Sequence, residues 1–275
     1  MQLALYSDVT LRSRFECKYM INPAAVPAMR EFIQPFMMPD HYAARWENNR
    51  YEISSLYLDS PDLKLYQQTV GGEKNRFKLR VRTYDDEPDT PAFFEVKRKV
   101  NNIVSKRRVG IDRGDAAKFL ESGAGDWMGK LSPDAVDDLD YFSLHSGLAG
   151  ARPVVRVRYT REAYEARAGD PLRITIDTDL MHAVTLDHDL RHADGRWVTT
   201  PVAGSILEIK FTERYPEWVS DLVKAFGLKQ QPVPKYVLSI DHMTLEGRES
   251  ALTLAALMSD GSTTDPDWPM PRGSK

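Results

Sequence analysis

Residues 74–84, Lys-Asn-Arg-Phe-Lys-Leu-Arg-Val-Arg-Thr-Tyr, begin with a cation at every second position and have mainly apolar residues between the cations. A period of two is typical of a β-strand with one polar and one apolar face. A turn-rich stretch at 85–91 follows, and 92–100 and 103–112 repeat the strand pattern. The sequence therefore predicts a meander of antiparallel strands.

Further strands and helices are predicted on both sides of this meander. Strand patterns cover 12–21, 50–58, 153–161, 171–178, 181–187, 197–202 and 205–212, and helices are predicted at 22–34, 60–68, 115–122, 133–147, 216–226 and 234–247. Asn22 followed by Pro23 is a typical helix start. Residues 259–275 are rich in Asp, Pro, Gly, Ser and Thr, which predicts a disordered tail after one domain of residues 1–258.

The basic strands concentrate positive charge in a chain whose formal net charge is −3. Residues 74–108 contain eleven Lys and Arg against five Asp and Glu. Cations on one face of neighbouring strands repel each other, so we expect a polyanion to bind there. The alternative is a merely solvated face. Because open sheet edges stay exposed, the pattern favours an α+β fold with a closed antiparallel barrel, a charged lumen and helices outside.

Three strands carry the same apolar-Glu-apolar-Lys pattern, at 15–18, 94–97 and 207–210. Arg and Lys suit phosphate oxygens, and a carboxylate among them suits a divalent metal that bridges phosphates. Glu208 is the best candidate for that metal ligand, whereas Glu16 and Glu95 could equally be ion-pair partners. Cations together with Mg²⁺ or Mn²⁺ indicate phosphoryl transfer.

Composition excludes several other classes of protein. Hydrophobic residues make up 42% and charged residues 28%, which indicates a globular chain, and a single cysteine excludes an intrachain disulfide. No apolar run approaches the roughly 18–20 residues of a membrane span, and the N-terminus does not resemble a signal peptide, so we predict a cytoplasmic protein without a membrane segment of its own. The acidic net charge argues against nucleic-acid binding. His182, His188 and His192 could bind a metal, but a solvated loop is the simpler interpretation.

Seven motifs resemble, in order, the VTC domain, which is the polyphosphate polymerase domain of the vacuolar transporter chaperone type within the triphosphate tunnel metalloenzyme (CYTH-like) superfamily. The motifs are Arg-Phe-Glu-Cys-Lys-Tyr (14–19), Ser-Leu-Tyr-Leu-Asp-Ser-Pro-Asp-Leu (55–63), Arg-Phe-Lys-Leu-Arg-Val-Arg-Thr-Tyr (76–84), Phe-Phe-Glu-Val-Lys-Arg-Lys (93–99), Tyr-Thr-Arg-Glu-Ala-Tyr (159–164), Ile-Leu-Glu-Ile-Lys (206–210) and Pro-Lys-Tyr (234–236). The resemblance runs from about residue 12 to residue 247.

The resemblance implies an eight-stranded antiparallel tunnel with flanking helices. It also implies transfer of the γ-phosphate of ATP, or of another triphosphate, to inorganic polyphosphate with Mn²⁺ or Mg²⁺. It assigns phosphate contacts to Lys18, Arg80, Arg82, Lys97 and Lys235 and the metal to Glu208. The polar face adds Lys78 and Lys210 to the phosphate-binding residues. The arginine of strand 153–161 stays open, because alternation points to Arg156 and Arg158 and the motif points to Arg161. Arg158 and Arg161 are taken as the candidates for phosphate binding.

One departure from the superfamily pattern bears on the reaction. The wider superfamily opens with Glu-x-Glu-x-Lys, whereas this chain has Arg14-Phe15-Glu16-Cys17-Lys18. A cation in place of the first carboxylate favours a polymerase, or a non-catalytic module that binds polyphosphate or nucleotide phosphates. A triphosphatase, which would use water as the acceptor, is the other alternative.

Overall fold

The computed structural model describes residues 14–245 except 88–89, 102, 124–127, 130, 168, 170, 193–195, 213 and 215, so the predicted tail at 259–275 lies outside the described residues. The strands are β1 (Arg14–Ile21), β2 (Met37–Pro39), β3 (Arg50–Asp59), β4 (Asn75–Thr83), β5 (Ala92–Val100), β6 (Ile103–Ile111), β7 (Arg152–Ala166), β8 (Arg173–Val184), β9 (Val198–Thr199) and β10 (Ser205–Thr212). The helices are α1 (Val26–Ile33), α2 (Lys64–Val70), α3 (Arg113–Ser122), α4 (Pro133–Ala149), α5 (Glu217–Ala225) and α6 (Lys235–Leu245).

The strands form one antiparallel sheet in the order β1-β10-β8-β7-β3-β4-β5-β6, while β2 pairs with β7 and β9 pairs with β8. The predicted α+β class and the antiparallel meander β4-β5-β6 are confirmed. The predicted closed barrel is not, because β1 and β6 are the two ends of the strand order and do not pair with each other in the described part of the chain.

The sheet nevertheless curls until side chains of β1 and β5 meet. Six interstrand steps separate β1 from β5. In a flat sheet these steps would span about 29 Å. The Nζ atom of Lys97 on β5 lies 2.9 Å from Oε2 of Glu16 on β1. The face that carries these two residues is therefore the inner, concave face.

Helices cover the outer face of the curled sheet. Alternate residues of β10, such as Leu207 and Ile209, pack with residues of α1 and α5 in one buried apolar cluster. Phe94 of β5 contacts the rings of Phe119 on α3 and Phe142 on α4. The apolar residues of the alternating strand patterns thus lie under helices, and their charged neighbours point inward.

Helix α6 packs on the inner face instead. Tyr236 stacks on Tyr57 with a centroid distance of 4.9 Å. Its hydroxyl donates a 2.6 Å hydrogen bond to Asp59 at the end of β3. Tyr66 of α2 donates a matching 2.6 Å bond to Asp241 of α6. These two Tyr–Asp contacts fix α6 inside the curled sheet. No helix in the described part of the chain combines the length and the apolar character needed to cross a bilayer.

Two element predictions differ from the structure. The strands predicted at 171–178 and 181–187 form the single strand β8, in which Asp179 adopts a left-handed conformation with φ 53°. The register of β8 with β7 shifts near this point. The short strand β2 was not predicted, because its three residues are too few to show a period of two.

Candidate functional site

Ten cationic side chains and four carboxylates lie together on the inner face and at the start of α6. We call them the charged cluster, and its members are Lys18, Lys78, Arg80, Arg82, Lys97, Lys106, Arg108, Arg161, Lys210 and Lys235 with Glu16, Glu95, Asp177 and Glu208. Because directly paired residues of neighbouring strands point to one side of a sheet, the register places the strand residues of this set on one face. The cluster carries a large surplus of positive charge.

The repeated Glu-x-Lys pattern explains the pairing of β1 with β10. The antiparallel register sets Glu16 opposite Lys210 and Lys18 opposite Glu208, so each carboxylate faces a cation. Lys18 Nζ lies 2.8 Å from Glu16 and 3.8 Å from Glu208. Lys210 Nζ lies 3.2 Å from Glu208. Two copies of one short motif therefore build one end of the cluster.

The carboxylates of Glu16 and Glu208 also influence each other's pKa. Burial and Glu208 raise the pKa of Glu16, but Lys18 and Lys97 outweigh them, so this pKa is lowered overall. Burial raises the pKa of Glu208 as well, yet Lys210 and Lys18 hold it well below its usual value. Two interacting carboxylates thus stay ionised, which is an arrangement that a further cation would stabilise.

The oxygen donors here fit a divalent cation that is shared with phosphates. The buried hydroxyl of Thr175, directly across the sheet from Glu208, has no hydrogen-bond partner in the structure. Mg²⁺ usually takes only one or two protein carboxylates when phosphates supply its other ligands. Among the described residues, no group of three or more His, Cys, Asp and Glu is placed to hold a metal, so phosphate oxygens would have to supply further ligands.

Arg161 and Lys235 share one buried carboxylate. Arg161 donates two hydrogen bonds of 2.7 and 2.8 Å to Asp177. Lys235 Nζ, at the first residue of α6, lies 2.7 Å from the same group. Burial alone would raise the pKa of Asp177, but Arg161 and Lys235 lower it to about 2. Asp177 therefore ties α6 to the charged cluster.

Glu95 is surrounded by three cations. Arg80 Nε donates to it at 2.6 Å, and Lys106 and Arg108 lie 2.8 and 3.3 Å away. Glu95 is 1% exposed, and these charges outweigh burial and hold its pKa well below the usual value. Of the two roles considered from the sequence, the geometry favours that of an ion-pair partner.

Two cations of the cluster form no ion pair with any carboxylate that the structure describes. Arg82 is 7% exposed, and within the described residues its hydrogen bonds go only to the hydroxyls of Ser55 and Tyr159, both at 3.3 Å. Burial and the charges of Lys18 and other neighbouring cations lower the pKa of Lys78 to about 8. A buried guanidinium and a lysine that loses its proton this readily both indicate a place where an anion would be stabilised.

The structure brings the predicted site residues together with one exception. Arg158 lies on the opposite face, where it donates to the carbonyl of His192 at 3.2 Å and sits 4.5 Å above the ring of Trp197. The prediction that Arg158 faces the inside of the sheet is wrong, because Val155 and Val157 occupy the inner positions of this part of β7. Arg161, which the motif indicated, lies in the charged cluster.

Sequence reasoning missed the inward position of Lys106 and Arg108. Residues 106–108 are three consecutive cations, which hide the alternation of the strand. The register with β5 points Lys106 and Arg108 inward. Arg107 points outward and lies 3.1 Å from Asp138 of α4.

Two of the scattered histidines are buried in the fold. His182 and His192 are 3% and 5% exposed, and their rings hydrogen-bond Thr200 and Thr83 at 2.8 Å. The interpretation of this stretch as a solvated loop is therefore wrong for both residues.

The sequence of this chain is similar to those of several known proteins. A sequence model of the VTC domain matches residues 13–244. Vacuolar transporter chaperone complex subunit 2 of Schizosaccharomyces pombe is 24% identical over 256 residues, which cover 74% of this chain and 34% of that protein. Subunit 4 of the same complex in Trypanosoma cruzi is 23% identical over 226 residues, which cover 67% and 27%. The chain thus spans about a third or less of the length of these relatives. The solved PH1819 protein from Pyrococcus horikoshii OT3 shares 17% identity over 85% of this chain and 97% of its own, with a TM-score of 0.42.

Proposed function

The chain belongs to the VTC domain family, and from this premise we propose that it is a metal-dependent polyphosphate polymerase that transfers the γ-phosphate of ATP to polyphosphate. The observation that carries the proposal is the surplus of cations on the inner face. Lys78 and Arg82 in particular lack a carboxylate among the described residues. Polyphosphate has a negative charge at every phosphate, so it suits a confined site of this sign.

In the proposed reaction, a terminal oxygen of the polyphosphate chain attacks the γ-phosphorus of ATP. The bond from that phosphorus to the bridging oxygen of the β-phosphate breaks, and ADP leaves. The attacking oxygen is already anionic, so no proton has to be removed from it. Catalysis then consists of positioning and of stabilising the charge on the transferred group.

Arg80 and Arg82 suit the transferred group because a guanidinium can donate two parallel hydrogen bonds to phosphate oxygens. Both side chains lie on β4 and point inward. Lys18, Lys97 and Lys235 add positive charge around them. Each of these three already shares a carboxylate of the cluster, so a bound phosphate would compete with that carboxylate for the ammonium group.

Glu208, with Glu16 beside it, is the group that would hold Mn²⁺ or Mg²⁺. A divalent cation there would neutralise charge on the phosphate oxygens that it contacts. Both carboxylates are ionised at neutral pH, as metal ligation requires.

Two broader features belong to the same proposal. The contact between Lys97 and Glu16 supports an eight-stranded tunnel around the phosphate chain. The relatives are named as subunits of a vacuolar transporter chaperone complex, which supports action with partner subunits. The cytoplasmic location expected from the sequence is part of the same proposal.

Incubation with ATP and Mn²⁺ or Mg²⁺, followed by gel electrophoresis for polyphosphate, tests the proposal. A polymerase gives polymers that lengthen with time. Orthophosphate without polymer would indicate a triphosphatase, and binding without turnover would indicate a non-catalytic module. Arg158→Met, which changes an arginine on the opposite face, is a matched control that should keep the activity of the wild type.

A further inference from the structure

Five aromatic rings form a continuous group at one end of the inner face. We call it the aromatic group, and it consists of Tyr42, Trp46, Tyr51, Tyr84 and Phe93. The register pairs Tyr51 with Arg161 and Phe93 with Arg82, so these two rings point to the same side as the charged cluster. Tyr42 lies between Tyr51 and Trp46, at centroid distances of 4.7 and 6.3 Å.

The aromatic group continues directly from the charged cluster. The guanidinium carbon of Arg108 lies 3.7 Å from the ring centroid of Phe93. Arg108 also donates a 3.1 Å hydrogen bond to the hydroxyl of Tyr84. Tyr84 in turn contacts Tyr42 at 5.2 Å. Flat apolar surface therefore begins where the phosphate-binding cations end.

The far end of the aromatic group is open to solvent. Trp46 is 41% exposed, and Tyr42 is half-buried beside it. Arg45, which is also exposed, lies 6.0 Å from the Tyr42 centroid and adds positive charge at this end. A molecule with phosphates on the charged cluster could thus extend a flat ring system onto Tyr42 and Trp46.

We propose that the aromatic group binds the base of the nucleotide substrate, an inference that rests on the proposed function. Polyphosphate has no ring system and gains nothing from aromatic surface. A nucleoside triphosphate joins a chain of phosphates to a planar base, and bases stack on aromatic rings. This contact distinguishes the phosphate donor from the inorganic acceptor.

The chemistry of the aromatic group also sets the class of nucleotide. Stacking uses the π-face that all bases share, and it does not read the hydrogen-bonding edges that differ between them. We therefore expect a preference for nucleoside triphosphates over inorganic tripolyphosphate, with little discrimination between adenine and guanine.

Calorimetric titration of the whole chain with ATP, GTP and inorganic tripolyphosphate, without a divalent metal, tests this assignment. Trp46→Ala should weaken ATP and GTP binding about five- to tenfold, equivalent to about 1–1.4 kcal/mol, and leave tripolyphosphate binding unchanged. Trp46→Phe should restore most of the loss. Phe36→Ala is the matched control, since Phe36 is 40% exposed and stacks on Trp218.

The possible outcomes separate this inference from the proposed function. If Trp46→Ala weakens tripolyphosphate as much as ATP, or weakens neither, the aromatic group is not a base site. If the wild type binds ATP and tripolyphosphate equally well, the base site is overturned while the phosphate site stands. If the wild type binds neither ligand, the proposed function fails and the base site fails with it.

Discussion

Replacing Arg82 with Met should weaken phosphate binding and, at the same time, stabilise the ligand-free protein. Arg82 is 7% exposed and bonds only to two neutral hydroxyls. A buried charge without a partner is unfavourable, and Met fills a similar volume without charge. Arg161 is the matched control, because it is 9% exposed on the same face but bonds Asp177 through two short hydrogen bonds.

The expected change in the free energy of unfolding has opposite signs for Arg82→Met and Arg161→Met. Hydrogen bonds to charged groups contribute about 1.5–3 kcal/mol, so Arg82→Met should weaken tripolyphosphate binding by a factor of about 10 to 150. Removal of a buried charge that forms no ion pair with a described carboxylate should raise the free energy of unfolding by about 1 kcal/mol and the Tm by roughly 2–4 °C. Arg161→Met leaves Asp177 with one cation fewer and should lower the free energy of unfolding by about 3–5 kcal/mol.

Thermal unfolding by circular dichroism, with and without inorganic tripolyphosphate, measures both effects. Tripolyphosphate should raise the Tm of the wild type. Arg82→Met should have a higher Tm than the wild type without the ligand and a smaller increase with it. If Arg82→Met and Arg161→Met both lower the Tm of the free protein to a similar extent, Arg82 is a structural residue and the reasoning is refuted.

Three further predictions concern the metal, the pH dependence and the start of α6. Glu208→Gln should abolish metal-dependent turnover and keep tripolyphosphate binding. Glu95→Gln should instead lower the free energy of unfolding by about 3–5 kcal/mol, measured by urea titration. Full activity of Glu208→Gln at low Mn²⁺ would exclude Glu208 as the metal ligand. Since Lys78, Lys106 and Lys210 each have a pKa of about 8 and bind anions only when protonated, tripolyphosphate affinity should fall as the pH rises through about 8, and Lys78→Met should remove part of that fall in calorimetry. Lys235→Ala should raise the KM for ATP, while Lys224→Ala, on an exposed part of α5, should not; an unchanged KM in folded Lys235→Ala would remove Lys235 from the site.

Alternation predicted the inner face well wherever one face of a strand is apolar and the other is charged. The cations of β4 and the Glu-x-Lys pairs of β1, β5 and β10 all lie where the period of two places them. Their outward neighbours are mainly apolar and pack under helices, so one face of each strand is apolar and the other is charged. Local sequence carries this information because the pleat alone sets the side of each residue.

Alternation failed as a guide on the first half of β7, where the inner face is apolar. Val155 and Val157 share a buried apolar cluster with Ile240 of α6, so the inward positions are apolar and Arg156 points the other way. Arg156 instead donates to Asp189 at 2.9 Å. No local pattern shows that a helix distant in sequence covers part of the inner face. The curl that brings Lys97 to Glu16 is likewise a property of the whole sheet.

A calorimetric titration with inorganic tripolyphosphate tests most directly whether the charged cluster is a phosphate site. The wild type should be compared with the double variant Lys78→Met/Arg82→Met, which removes the two cations without a carboxylate partner in the described structure. The expected result is saturable binding by the wild type, weakened with added salt, and an affinity at least about a hundredfold lower in the double variant. Equal affinity of the two proteins, or no binding by the wild type, would contradict the assignment of this face to phosphate.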